Sequence, residues 1–136
     1  MMTANELAAR LGDILDPALR SLVGTDPEAF RPYDRYGSAI EGMFWCPLSV
    51  DQDDDLDIFL LRMEPGAQSY PHEHVGAEQF LVLEGSLLDC DGTVIPAGTF
   101  ARFEAGSTHH STTEDGCLLL VMLRARNQAL DAAISS

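Results

Sequence analysis

Short apolar segments separated by turn-forming sequences occupy the chain after residue 40. The candidate strands are MFWCPL, LDIFLLRM, QFLVL, SLLDC, TVI, TFARFE and CLLLVML. The sequences between them include EPGA, EGS, DGT, PAGT and EAGS, which combine Gly, Pro, Asp and Ser as tight turns do. This spacing predicts an all-β sandwich or barrel. CLLLVML and LDIFLLRM are apolar on both faces and are therefore expected to be central strands.

The first 23 residues have a helical pattern instead. Thr3 and Glu6 fit a capping box, and apolar residues follow at helical spacing: Leu7, Leu11, Ile14 and Leu15. The pair Asp16-Pro17 predicts the start of a second helix, because Asp is a favoured N-cap and Pro is favoured at the first helical position. Gly24 is expected to end it.

A chain of this size suits one domain. It has 136 residues, of which 46% are hydrophobic, and this is enough to bury a core. We divide it into an N-terminal helical arm (1–35), a β-barrel (36–126) and a C-terminal tail (127–136).

The net charge of −14 argues against a nucleic-acid or anionic-membrane partner, because both need a basic surface. The acidic run DQDDDLD (51–57) lacks the Gly and Glu spacing of a calcium-binding loop, so we expect a solvated loop. No apolar run reaches the roughly 18 residues that cross a bilayer, and no basic segment precedes an apolar stretch at the N-terminus. We therefore expect a cytoplasmic location. The three cysteines contain no CxxC pair, and buried reduced thiols are the expectation.

Two of the four histidines lie in the stretch GAQSYPHEHVGAEQFLVLEG, residues 66–85. Alternate side chains of a strand share one face, so His72 and His74 project together, and Glu78, Phe80 and Val82 share a face of the next strand. A turn at residues 75–77 would bring Glu78 to the histidine pair. Such a group predicts a site for a first-row transition metal, or else a strongly hydrogen-bonded polar cluster.

The same stretch resembles the first sequence motif of the cupins, G(x)5HxH(x)3E(x)6G. The matching residues are Gly66, His72, His74, Glu78 and Gly85. The segment DGTVIPAGTFARFEAGSTHH is similar to the second cupin motif through Pro96, Gly98 and a later histidine, although the motif's terminal Asn is absent.

Residues 43–126 resemble more closely the cupin domain of ChrR-type anti-sigma factors. In that branch a GSxH pattern supplies the last metal-binding histidine, and here the pattern is GSTH, residues 106–109, which assigns the role to His109. His110 then lies on the outer face or rim, because adjacent strand residues face opposite sides. The arm has no histidine and no cysteine before Cys46, so we expect the zinc-binding domain that captures a sigma factor in this branch to be absent.

The resemblance implies an RmlC-like cupin fold, a double-stranded β-helix or jelly-roll barrel. It implies one divalent metal ion per chain, with Fe or Zn favoured over Mn or Ni, bound by His72, His74, Glu78 and His109. Four protein ligands leave about two positions open on an octahedral ion. Phe80 and Val82 would supply apolar walls, and Tyr70 would line the pocket or donate a hydrogen bond to a bound ligand.

Two functions are compatible with this site. The first is a metal-dependent dioxygenase that acts on a small chelating substrate, such as a diketone or a hydroxyaromatic ketone. The second is a non-enzymatic zinc-binding sensor or regulatory module of the ChrR type. No individual catalytic residue is assigned. From the family we also expect a homodimer that binds a small-molecule ligand or substrate, with the arm packed over a barrel or across the interface.

Overall fold

A computed structural model describes residues 1–50 and 55–130 of the chain. One α-helix is present in these ranges, α1 (Ala4–Leu11), followed by single 3-10 turns at Pro17–Leu19 and Pro27–Ala29. Eleven strands follow: β1 (Arg31–Pro32), β2 (Met43–Ser49), β3 (Asp57–Met63), β4 (His72–Glu73), β5 (Glu78–Asp89), β6 (Val94–Pro96), β7 (Phe100–Phe103), β8 (Thr108–His109), β9 (Ser111–Thr112), β10 (Cys117–Leu123) and β11 (Gln128–Ala129). The prediction of an all-β domain with a short N-terminal helix is confirmed.

The strands form two antiparallel sheets. The main sheet has the order β1-β2-β3-β10-β5-β6, and β7 and β9 also pair with β5. A smaller sheet has the order β11-β4-β8. In β10, alternate residues from Cys117 to Leu123 are buried, and they pack on Phe59, Phe80 and Val82 in the hydrophobic core. The two segments predicted to be central, β3 and β10, lie side by side within the main sheet.

Strand β5 shows that one predicted turn is wrong. The segments QFLVL and SLLDC are parts of one continuous strand, and the EGS sequence between them is a bend within it. The first part of β5 pairs with β7 and β10, whereas the last part pairs with β6 and β9. The bend requires Gly85, which has a φ of 72°, and a bulge at Leu83 shifts the register against β10.

The N-terminal helix is shorter than predicted. The capping box of Thr3 and Glu6 is confirmed, but α1 ends at Leu11, and Asp16 caps only a 3-10 turn. Every residue from 1 to 29 is exposed. Short helices are stabilised mainly by packing of their apolar face, and none of the described residues covers this face beyond Leu11. None of the helices described is long and apolar enough to span a bilayer.

The boundaries of the barrel are wider than the sequence division placed them. The main sheet begins at Arg31, inside the predicted arm, and the smaller sheet includes Gln128 and Ala129 from the predicted tail. Residues 51–54 of the predicted acidic loop and residues 131–136 of the tail lie outside the described residues.

Replacing Gly85 with Ala is expected to destabilise the protein by more than about 3 kcal/mol. A Cβ atom there would lie 2.0 Å from the carbonyl oxygen of Gly116, in addition to the strain of a positive φ. Gly98→Ala is the matched control, because Gly98 has a φ of 84° but no atom within 4 Å of the added Cβ. It should cost only the backbone strain, about 1–2 kcal/mol. The measurement is urea unfolding of both variants. Equal losses would show that the contact with Gly116 is unimportant.

Candidate metal centre

Four buried side chains from three strands and one connecting loop converge at one end of the barrel. His72 lies on β4 directly opposite His109 on β8, so the pairing of these two strands brings the two imidazoles together. His74 follows β4, and Glu78 begins β5. One ligand atom from each of the four residues lies within 4.8 Å of the other three. These are the four residues that the sequence singled out as metal ligands.

Each imidazole is oriented by a hydrogen bond at its Nδ1 atom. The Nδ1 of His72 lies 2.7 Å from the backbone carbonyl oxygen of Tyr70, which can only accept. The Nδ1 of His74 lies 2.8 Å from the hydroxyl of Ser107, which itself donates to the carbonyl of Glu104. With the proton on Nδ1 in both rings, Nε2 carries a free lone pair.

His109 is oriented by a carboxylate. Its Nδ1 lies 2.9 Å from Oδ1 of Asp89, and both side chains are largely buried. A carboxylate behind a histidine fixes the ring tautomer and increases the basicity of the opposite nitrogen, which is a common arrangement at metal sites. All three histidines are therefore set to bind a cation through Nε2.

Glu78 is held by Asn127, whose amide donates to Oε2 at 2.5 Å. Burial raises the pKa of Glu78 to about 7, and the hydrogen bond from Asn127 opposes this shift. Burial lowers the pKa of His72 and of His74 to about 4. The two imidazoles are thus neutral at pH 7, which is the form that binds a metal.

The residues fit a divalent metal. The Nε2 atom of His74 is fully buried and has no hydrogen-bond partner, at 3.6 Å from Oε2 of Glu78. A buried polar atom without a partner is costly, and a cation would satisfy it. Imidazole and carboxylate ligands suit Fe, Zn, Mn and Ni, so the ligand set does not select among these metals. Four ligands leave about two positions on an octahedral ion.

A cavity of about 40 Å³ adjoins the cluster. This volume holds about three water-sized molecules. Apolar and polar side chains line it, among them Phe59, Phe80, Leu87, Leu119, Val121, Tyr33, Tyr36, Ser69, Ser111 and Asn127.

The three residues predicted to line the pocket lie in different places. Phe80 lines the cavity, whereas Val82 is buried in the hydrophobic core beyond it. The ring of Tyr70 is about half exposed, and its backbone oxygen, not its hydroxyl, contacts His72. Strict alternation does not hold between Tyr70 and His72, and Ser69 is the buried residue that lines the cavity.

Residues that orient the ligands were not predicted. Ser107 lies inside the GSTH pattern, and this position was a signal for a role of its hydroxyl near the metal ligands. Asp89 was hidden by the bulge in β5: strict alternation from Glu78 would place it outward, but the extra residue at Leu83 turns it inward. Asn127 carries no local signal, because it lies far along the chain from Glu78.

Comparisons with known proteins assign the family. A sequence profile described as the ChrR cupin-like domain matches residues 30–127. The chain belongs to this family. No protein with a curated function matches the chain significantly.

Solved structures share the fold at low sequence identity. An acetylacetone dioxygenase from Acinetobacter johnsonii superposes with a TM-score of 0.73 at 13% identity, over 84% of this chain and 80% of that one. The polyketide cyclase RemF from Streptomyces resistomycificus gives 0.63 at 17%, over 82% and 87%. Rhodobacter sphaeroides SigE in complex with the anti-sigma ChrR gives 0.53 at 24%, over 60% of this chain and 44% of the matched chain. The cupin barrel fold is confirmed.

His109→Ala should lose most of the bound metal, whereas His110→Ala should retain nearly all of it. His109 supplies one of the four converging ligand atoms, and His110 lies outside that cluster. The measurement is elemental analysis of untagged protein after supplementation with Fe, Zn, Mn or Ni, with about one equivalent per chain expected for the wild type. The opposite behaviour of the two variants, or less than about a tenth of an equivalent in the wild type, would contradict the assignment.

Asp89→Ala should weaken metal binding by about 10–100-fold while leaving the four ligands in place. The variant removes the carboxylate that orients the ring of His109. Asp91→Ala is the matched control, because Asp91 is exposed and caps a turn two residues away. Affinity is measured by competition with a chromophoric chelator. Equal affinities of the two variants would show that Asp89 does not support the site.

Proposed function

We propose that the protein is a metal-dependent dioxygenase that acts on a small chelating ketone. The observation that carries the proposal is the convergence of three imidazoles and one carboxylate beside a largely apolar cavity. A metal used only to stabilise a fold is usually closed off by its protein ligands, whereas this set leaves room for two more ligand atoms. A bidentate ligand such as an enolised diketone has the matching number of oxygen atoms.

The metal would supply Lewis acidity and electrons for the reaction with O2. The residues of the chain would hold its geometry. His72, His74 and His109 are fixed as Nε2 ligands by their Nδ1 hydrogen bonds, and Asn127 fixes the carboxylate of Glu78. Apolar walls that include Phe80 would exclude bulk water and so protect a reactive intermediate from hydrolysis.

The cavity lining favours a substrate without a permanent charge. No lysine or arginine lines the cavity among the described residues, so a carboxylate or a phosphate would find no cationic side chain there. Tyr33 and Tyr36 line it, and burial raises the pKa of both phenols well above the usual range. Both therefore remain protonated at neutral pH and are able to donate a hydrogen bond to a ketone oxygen.

The size of the cavity requires movement at its entrance. A volume of about 40 Å³ admits water or O2, but a diketone needs more space. Tyr36 is only partly buried and lies beside both His72 and the exposed Tyr70, with ring centroids 6.2 Å apart in each case. Rotation of Tyr36 would therefore widen the cavity on its solvent side.

A zinc-binding sensor or regulatory module is the second candidate. It is supported by the match to the ChrR cupin-like domain family. In this case the same four residues would bind zinc, and arrival of a small molecule or oxidant would change the affinity for a protein partner. The two candidates differ in the metal that they need and in turnover with O2.

The test is O2 uptake by protein loaded anaerobically with Fe(II), in the presence of β-diketones and hydroxyacetophenones. We expect consumption of O2 with at least one chelating ketone. Mass spectrometry with ¹⁸O2 should find one labelled oxygen atom in each of the two fragments, because cleavage of a carbon–carbon bond by a dioxygenase places both atoms of O2 in the products. Absence of uptake with every ketone, together with a firm preference for zinc, would favour the sensor.

Two variants serve as controls for this assay. His110→Ala should retain the activity of the wild type, because His110 does not belong to the ligand cluster. His109→Ala should abolish it. Uptake that persists in His109→Ala would come from free iron and not from the site.

A further inference from the structure

The outer face of the main sheet carries an apolar row that crosses five strands. Cross-strand pairs align Cys46 with Leu60, Leu60 with Leu120, Leu120 with Leu81, and Leu81 with Phe100. Directly paired residues share a face of a sheet. None of the five belongs to the buried core cluster, which lies on the opposite face.

The chain itself covers one half of this face. Cys46 and Leu60 are only 1% and 8% exposed although they lie outside the core cluster. The segment that leads out of the arm, residues 24–30, contacts this half of the face. The Sγ atom of Cys46 lies 3.8 Å from the carbonyl oxygen of Gly24, and the guanidinium of Arg62 lies 4.2 Å from the ring centroid of Phe30.

The other half of the face is open. Phe100 on β7 is 52% exposed, and Leu83 on β5 is 42% exposed. Leu81 and Leu120, between them and the covered half, are partly exposed. The apolar row is therefore open in its β10–β5–β7 half and covered only in its β2–β3 half, and Gln79 and Arg102 flank the open half on the same face.

The arm has a matching apolar surface. Leu7 and Leu11 lie one turn apart on the same side of α1, and both are about half exposed. Four further apolar residues of the arm are between 56% and 84% exposed: Ile14, Leu15, Leu19 and Leu22. An eight-residue helix is not stable alone in water, so the arm needs a surface to pack on.

We propose that residues 1–23 of one copy pack on the open β10–β5–β7 half of the sheet face of a second copy, and reciprocally. Residues 24–30 already bind the neighbouring half of the same face, but residues 1–23 remain exposed and leave their own sheet open. A reciprocal exchange covers both surfaces on both copies at once. It also closes the assembly with twofold symmetry, so that neither of these two surfaces remains open to a third copy.

The test is the mass of the full-length protein in solution at micromolar concentration, measured without added metal or substrate. Light scattering should report a dimer. Leu11→Glu/Leu15→Glu in the arm and Leu83→Glu/Phe100→Glu on the sheet should each weaken dimerisation by about a hundredfold, since each places carboxylates in an apolar contact. All four positions are exposed in the single chain, so both variants should fold, as circular dichroism will check.

Val94→Glu is the matched control, because Val94 is 60% exposed on β6, outside the five-strand row. It should remain dimeric. A monomeric wild type would overturn the proposal, and so would dissociation of Val94→Glu to the same extent as the two paired variants. A dimer that survives the arm variant would show that the arm is not the occupant.

Mixing the two variants separates exchange from docking of each arm on its own sheet. The arm variant retains an intact sheet face, and the sheet variant retains an intact arm. Together they can form one of the two reciprocal contacts. Native mass spectrometry should therefore detect a mixed dimer at concentrations at which each variant alone is monomeric. Absence of the mixed dimer, or fibres in place of closed dimers, would contradict the proposal.

Discussion

Three imidazoles and a carboxylate lie buried with their ligand atoms within 4.8 Å of one another, and this crowding costs free energy until a cation binds. The cost is visible in the protein itself: Nε2 of His74 has no partner, and the pKa of Glu78 is raised by burial. The stability of the hydrophobic core offsets this free-energy cost. Two of the strands that contribute ligands, β4 and β8, have only two residues each, whereas Glu78 begins the long strand β5, which lies beside β10 in the main sheet.

The sequence contained the part of the site that depends on local alternation. His72, His74 and Glu78 lie within seven residues, and the resemblance to an anti-sigma cupin domain supplied His109. Residues that join the site only through irregular backbone geometry could not be predicted from the sequence. Asp89 faces inward only because of the bulge in β5, and Asn127 reaches Glu78 only through the closure of the barrel. The prediction of helix after Leu11 was wrong for a different reason. Apolar spacing does not reveal whether another part of the protein packs on the apolar face.

The comparisons with other cupins establish the fold and the family. The function must be argued from the residues around the metal ligands. An acetylacetone dioxygenase, a polyketide cyclase and an anti-sigma complex all contain barrels similar to this one. What distinguishes one use from another is the immediate surroundings of the ligands. In this chain these are protonated phenols, apolar walls and a small cavity, with no cationic side chain in the described lining. These surroundings are the basis of the proposal that the substrate is a neutral chelating molecule.

The cluster also connects the two sheets. His72 and His109 belong to the three-stranded sheet, whereas Glu78 begins the central strand of the larger one. A cation shared by these residues would bind the folded chain, in which the four ligands converge, and not the unfolded chain, so it would stabilise the barrel. Removal of the metal would then lower the stability of the barrel as well as abolish any activity of the site.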